Sequence, residues 1–334
     1  MRQFSCMSKF TREKSPCCRA MTYKFGGKRR QCSACKKTWT LWPKKRGRTL
    51  LRPRHNLLRK VVTEKQSLVV HSKRWPHLSL SAWSVRLRLA MKKYLAGSKE
   101  NSIPTGSLIA VIDALWFCFE QERWTLYLTT VRPINGLKAT ILDPVLLPGH
   151  ENYEDWSSAI NYWPSSVKNR IKALVCDGFR GTDRLAHDHG WLIQRCHFHL
   201  LAQLQVNRGK WKQLPDSPQS EKIYLSVRKI LIAKLDKLTS CVQELKRLLI
   251  KNDCPKRLGA IAREFLRRLD HFRTYLNYPE LNLPNTTNTV ESLNKIIRSH
   301  CKHLRTPESL ILRTKVLIRM RKTMTCKPKF FQQN

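Results

Sequence analysis

Ala173-Leu174-Val175-Cys176-Asp177-Gly178 is a short apolar run that ends on an acid and a glycine. An unbroken apolar stretch of this length reads as a strand buried on both faces. A carboxylate closing such a strand is expensive unless it is paired or binds a metal. The glycine after it lets the backbone turn away. Asp113, inside Ala110-Val111-Ile112-Asp113-Ala114, is placed in much the same way. One such acid alone is better read as a helix cap or a buried salt-bridge partner. Two of them, in a chain with 23 acids against 64 Lys and Arg, point to a shared site.

Working outward, β-forming runs at 107–119, 124–131, 136–142, 171–176 and 191–194, with a short helix at 155–163, predict an α/β domain. From 197 to 278 the pattern is helical, with Leu and Ile at three- and four-residue spacing between cations. Pro284 breaks the chain. A helix starting near Thr289 carries Val290, Leu293, Ile296 and Ile297 on one face, and 308–320 forms a last amphipathic helix. Glu291 falls in the first turn of the former, where an acid can simply favour the helix dipole. Asn288 and Asn294 flank it at i±3. Cys196 and His199 stand at C-x-x-H spacing in Cys196-His197-Phe198-His199. No further ligand pair lies nearby in sequence, so packing or hydrogen bonding is the favoured role for them.

The formal net charge is +41, which fits a polyanionic partner, and a phosphate backbone is the usual one. Residues 1–97 hold 26 Lys and Arg against only Glu13 and Glu64, so the N-terminal third reads as dedicated to DNA. Ribosomal proteins are as basic but usually shorter and poorer in Trp; this chain has ten. Within the basic third, Leu57, Leu58, Val61 and Val62, then Trp83, Leu87 and Met91, recur at helical spacing. Pro76 separates the two stretches, Ser79 or Ser81 can cap the second, and 97–104 reads as a linker.

Cys32-Ser33-Ala34-Cys35 is a C-x-x-C that suits one tetrahedral zinc. Cys17-Cys18 upstream, or Cys6 folding back, would complete the site, although neighbouring cysteines tend to diverge. A redox or merely buried pair is the alternative; the cations and aromatics around it (Lys28 to Arg30, Trp39, Trp42) favour zinc. Cys118 and Cys176 lie in apolar runs, as buried thiols do. With twelve cysteines, no secretory start and no apolar run near the roughly 18 residues of a membrane span, a cytoplasmic location is expected, without a disulfide framework or a membrane partner.

Taken as a set, Asp113 in its apolar strand, Val175-Cys176-Asp177-Gly178, Gln194-Arg195-Cys196-His197-Phe198-His199, and Thr286-Thr287-Asn288 leading to Glu291-Ser292-Leu293-Asn294 resemble the mutator-type transposases of bacterial insertion sequences. The order matches too, with 64 residues from Asp113 to Asp177 and 114 from Asp177 to Glu291. The resemblance covers about 107–322. It implies a ribonuclease-H-like catalytic domain at 105–322 with a helical insertion at about 197–280, and a triad of Asp113, Asp177 and Glu291 holding Mg²⁺ or Mn²⁺. It also implies that Cys196 and His199, with Asn288 and Asn294 in support, lie near that triad. The N-terminal part resembles a zinc ribbon (1–48, with Cys17, Cys18, Cys32 and Cys35 as ligands) followed by a helix-turn-helix region (49–97). It departs from the usual ribbon: Ser15 stands where Cys-Pro-x-Cys would have its first cysteine. The expected activity is cleavage and strand transfer of double-stranded DNA by a homo-oligomer on DNA. The rival reading is a catalytically inactive or domesticated DNA-binding protein derived from such an element.

Overall fold

The computed structural model describes residues 10–26, 29–40, 57–73, 78–209, 218–250 and 254–325. Cys6, Lys28, Trp42 and Pro76, each weighed above, lie outside the described residues. The chain divides into two compact units, 1–55 and 56–334.

The smaller unit is an antiparallel meander of β1 (Phe10–Lys14), β2 (Met21–Lys24), β3 (Arg29–Cys32) and β4 (Thr38–Thr40), in that spatial order. The turn between β1 and β2 carries Cys17 and Cys18; Cys32 ends β3 and Cys35 lies in the turn that follows it.

In the larger unit a helical turn at Arg59–Thr63 is followed by α1 (Leu68–Lys73) and α2 (Leu80–Gly97). Ser79 caps α2, its hydroxyl accepting from the Ala82 N–H. Then come β5 (Leu108–Phe119), β6 (Glu122–Pro133), β7 (Lys138–Ile141), β8 (Val145–Pro148), α3 (Tyr153–Asn161), α4 (Ser165–Lys168), β9 (Ile171–Cys176), α5 (Thr182–His189) and β10 (Leu192–Arg195). Five helices follow: α6 (His197–Arg208), α7 (Pro218–Ile232), α8 (Leu235–Ile250), α9 (Lys256–Arg267) and α10 (Leu269–Asn277). After them come α11 (Asn288–Cys301), α12 (Pro307–Arg321) and β11 (Thr323–Thr325).

The sheet is mixed, in the order β10-β9-β5-β6-β7-β11, with β8 also on β6. β5 runs antiparallel to β6 and parallel to β9, which is parallel to β10. Strand alternation sorts its side chains onto two cores. Ile109, Val111, Leu115, Ala173 and Val175 pack under α2, α11 and α12, through Trp83, Leu87, Leu293, Ile297 and Ile318 among others. Leu108, Ala110, Ile112, Leu174 and Cys176 pack under α3 and α5, against Trp156, Ile160 and Leu185. The helices of 57–97 therefore share a core with the sheet, and the Arg313 guanidinium donates to the Val61 carbonyl. The five-helix block has its own core around Leu204, Ile223, Val227, Leu245, Leu258 and Phe265.

β5 and β6 outrun the sheet. β9 pairs with β5 only from Leu108 to Val111, whereas β6 stays paired through to Phe119. Beyond Asp113 the β5 edge thus has no strand partner on that side among the described residues. Cys118, expected buried from its apolar surroundings, is exposed for this reason; Cys176, in the sheet centre, is buried.

A candidate carboxylate site and a candidate zinc centre

Asp113 lies where β9 leaves β5, on the face that packs against α11. One carboxylate oxygen accepts from the Ala114 N–H at 2.9 Å and the other from Asn294 Nδ2 at 2.6 Å. Burial, and then the charge of Asp177, push its pKa up from the ordinary 3.8 to about 6, with Glu291 adding in the same sense.

Asp177 follows the last residue of β9. Gly178 takes φ +91°, a backbone conformation that residues with a Cβ rarely adopt, and a Cβ there would also displace the Arg195 guanidinium. Arg195 crosses at that point and donates to the Gly178 carbonyl at 2.6 Å.

Glu291 sits in the first turn of α11. Thr287, at the N-cap, does not cap a backbone N–H with its side chain. Its hydroxyl donates to Glu291 Oε1 at 2.7 Å, and its backbone N–H donates to Cys196 Sγ at 3.3 Å. Asn288 opens the same helix. His199 Nδ1 lies 3.7 Å from Glu291 Oε1. Burial opposes protonation of His199, but the Cys196 hydrogen bond and the charges of Cys196, Asp177 and Glu291 outweigh it and hold its pKa at about 9.

These side chains share one cleft of about 970 Å³, lined by Asp113, Asp177, His199, Glu291 and Asn294 and extending along α11. Cys196, His199 and Glu291 also bring one sulfur, one nitrogen and one oxygen within 4.8 Å of one another, a set that could hold a metal ion. The Gln194–His199 segment divides its labour. Gln194 and His197 both bond the Phe272 carbonyl, at 3.1 and 2.7 Å, which ties the helical block to the sheet. Burial accordingly drives the His197 pKa down to about 4.

Sequence reasoning missed two residues. Thr287 is one in part: it stands in the quoted Thr286-Thr287-Asn288 stretch, but without a role of its own. Glu151 is the other. Its pKa is raised to about 7, first by burial and then by the charge of Asp177, while Trp156 Nε1 donates to it at 2.7 Å. It precedes α3 in a loop with no periodic signal.

Ionising these crowded acids has a stability consequence. A carboxyl whose pKa is higher folded than unfolded contributes stability below about pH 4 that is lost as pH rises through the folded value. Without divalent ions, Asp113→Asn should therefore stabilise the chain above about pH 7 by roughly 2–3 kcal/mol, and hardly at all near pH 4. Chemical unfolding of both chains across that range checks it. A difference independent of pH would contradict the burial and crowding argument.

In the smaller unit Cys17, Cys18, Cys32 and Cys35 bring their sulfurs within 4.8 Å of one another, the two adjacent cysteines included. Cys17 Sγ and Cys35 Sγ are 3.2 Å apart. A tetrahedral zinc with 2.3 Å bonds spaces its sulfurs by about 3.8 Å, so the cluster fits that ion. Ser15, standing in place of a first ribbon cysteine, is buried beside the cluster, 3.3 Å from Cys32 Sγ. Its hydroxyl, then the Cys35 and Ala34 amides, pull the Cys32 thiol down to about 6. Purified reduced chain should carry about one zinc, lost on Cys32→Ser together with the four-stranded meander. Folded, reduced protein with no zinc would return the four residues to ordinary thiols.

Comparison with known protein families and with curated proteins returns no match. Among solved structures, a crystal structure of NurA with manganese aligns at a TM-score of 0.13 and 10% identity. The alignment covers 81% of this chain and 62% of that one, less than two thirds of its length. No helix among the described residues is long and apolar enough to cross a membrane.

Proposed function

We propose that the chain is a transposase of the mutator type, which binds the ends of an insertion sequence and cleaves and rejoins DNA strands at the Asp113, Asp177 and Glu291 carboxylates. The observation that carries this reading is their meeting in one cleft from three separate elements, where burial and the Asp177 charge push the Asp113 pKa up to about 6. The sheet supports the ribonuclease-H-like reading: three antiparallel strands (β5, β6, β7) continue through β5 into two parallel ones, with a helical block between β10 and α11.

The donor set fits Mg²⁺ or Mn²⁺. It is all oxygen, and the mutual repulsion of its carboxylates is what a divalent cation relieves. When bound there, such ions acidify a water or a 3′-hydroxyl and neutralise the leaving oxygen. Asp113, nearest the centre of the sheet, would bridge two ions, with Asp177 and Glu291 each completing one. Asn294 fixes the Asp113 carboxylate and Thr287 fixes that of Glu291, so both stay aimed at the cleft. Glu151 is electrostatically coupled to both aspartates, whose charges help to raise its pKa.

The test is strand cleavage of DNA carrying the element's own ends, in Mg²⁺ or Mn²⁺, by wild type and by triad variants. The +41 charge, with the Cys-rich unit and the helices of 57–97, supports DNA as the partner. A chain that binds such ends but never cuts them would leave the inactive, element-derived DNA-binding protein as the reading.

A further inference from the structure

The cleft does not stop at the carboxylates. α11 lines it with Glu291, Asn294, Lys295 and Arg298, and its C-cap with Lys302, positions that recur on one helical face. The acid stands at the N-terminal end of this row and three cations lead away from it over about 16 Å. All three cations are exposed, and none has an ion-pair partner among the described residues.

The opposite wall is the free part of β5. Past Asp113 that edge has no strand partner among the described residues, and Trp116 and Phe117, on opposite faces of the strand, both line the same cleft. Trp116 is 58% exposed although the Arg123 guanidinium lies 5.3 Å from its ring centroid. Phe198, at the mouth beside His199, is 46% exposed. Large aromatics left bare beside a row of unpaired cations suit a ligand that is polyanionic along one side and carries flat apolar faces along the other.

We infer that this cleft seats an unpaired DNA strand end, with its phosphates on Lys295, Arg298 and Lys302 and its bases stacked against Trp116 and Phe198. In duplex DNA the base faces are covered by their neighbours, so a paired strand could use the cations but not the rings. The inference rests on the DNA-cleaving reading of the carboxylates and adds what they act on: a strand already separated from its partner near the scissile phosphate.

The experiment uses the full-length chain in Ca²⁺ and a duplex with a short unpaired 3′ tail carrying 2-aminopurine, whose fluorescence falls on stacking. Wild type should quench the tail probe several-fold, leave a probe in the duplex interior unchanged, and prefer the tailed duplex to a blunt one. Trp116→Ala should lose most of the quenching and about tenfold of that preference, as removal of one stacking partner does. Trp116→Phe should keep both. Trp116 is already exposed, so its truncation removes little packing; Arg298→Ala, on the other wall, should reduce the preference independently.

No tail preference in wild type, or quenching undiminished in Trp116→Ala, overturns the inference. So does a change of oligomeric state in Trp116→Ala with quenching intact, which would make the aromatics a protein contact. The binding readout needs no chemistry, which separates the two claims. Quenching that depends on Trp116 beside cleavage indifferent to Asp177 would retain the strand site and remove the carboxylate reading. Triad-dependent cleavage without quenching would do the reverse.

Discussion

Asp177→Asn will leave duplex DNA binding essentially unchanged and slow strand cleavage by about a thousandfold or more. The substitution keeps the size and hydrogen-bonding capacity of the side chain and removes the charge that holds a divalent ion. Losing a metal ligand costs several kcal/mol of transition-state stabilisation, which sets that magnitude. Binding survives because the net charge of +41 lies elsewhere, most of it in residues 1–97, and one acid fewer near a polyanion costs nothing. The assay is nicking of DNA that carries the element's ends, with active wild type as the control. Cleavage by Asp177→Asn at the wild-type rate would place the chemistry elsewhere.

Duplex affinity of the whole chain will fall by roughly a thousandfold or more when salt rises from about 50 to about 200 mM, as for a protein that displaces counterions from six to ten phosphates. The basic N-terminal third carries most of this expectation, but it is not one folding unit. The chain divides at 55/56, and Trp83, Leu87 and Met91 are buried in the core of the larger unit. A fragment ending at 97 would strip those helices of their partners, so the full-length chain is the right material. A shallow salt slope, with affinity lost by less than about tenfold, would mean that few phosphates are touched.

The parts of the site that were legible in the sequence were those where polarity contradicts its surroundings. Asp113 and Asp177 stand out because an acid in a buried strand demands a reason, and Gly178 because an acid followed by glycine marks a turn. Glu291 was legible only through its place in the ordered set, since a first-turn Glu is commonplace. β5, β6, β9 and β10 follow from runs of β-formers, and their observed limits lie within a few residues of those expected. β8, α4, α5 and β11 did not, because each is short or polar and is held by its neighbours rather than by its own periodicity. Glu151 itself, and the role of Thr287, were invisible for a related reason: what distinguishes them is a partner 26 residues away or more, Asp177 for one and Cys196 for the other. The four thiols of the smaller unit show the same limit. Adjacent Cys17 and Cys18 looked geometrically awkward, yet the tight turn between β1 and β2 brings both to Cys32 and Cys35.

The account stands or falls on where a divalent cation sits. Crystals of the chain soaked in Mn²⁺ and measured at its absorption edge give that position directly. The account predicts anomalous density about 2.1 Å from carboxylate oxygens of Asp113 and Asp177, with Glu291 completing a second position once DNA is present. Mn²⁺ absent from these carboxylates, or found only at Cys196 and His199, would contradict it.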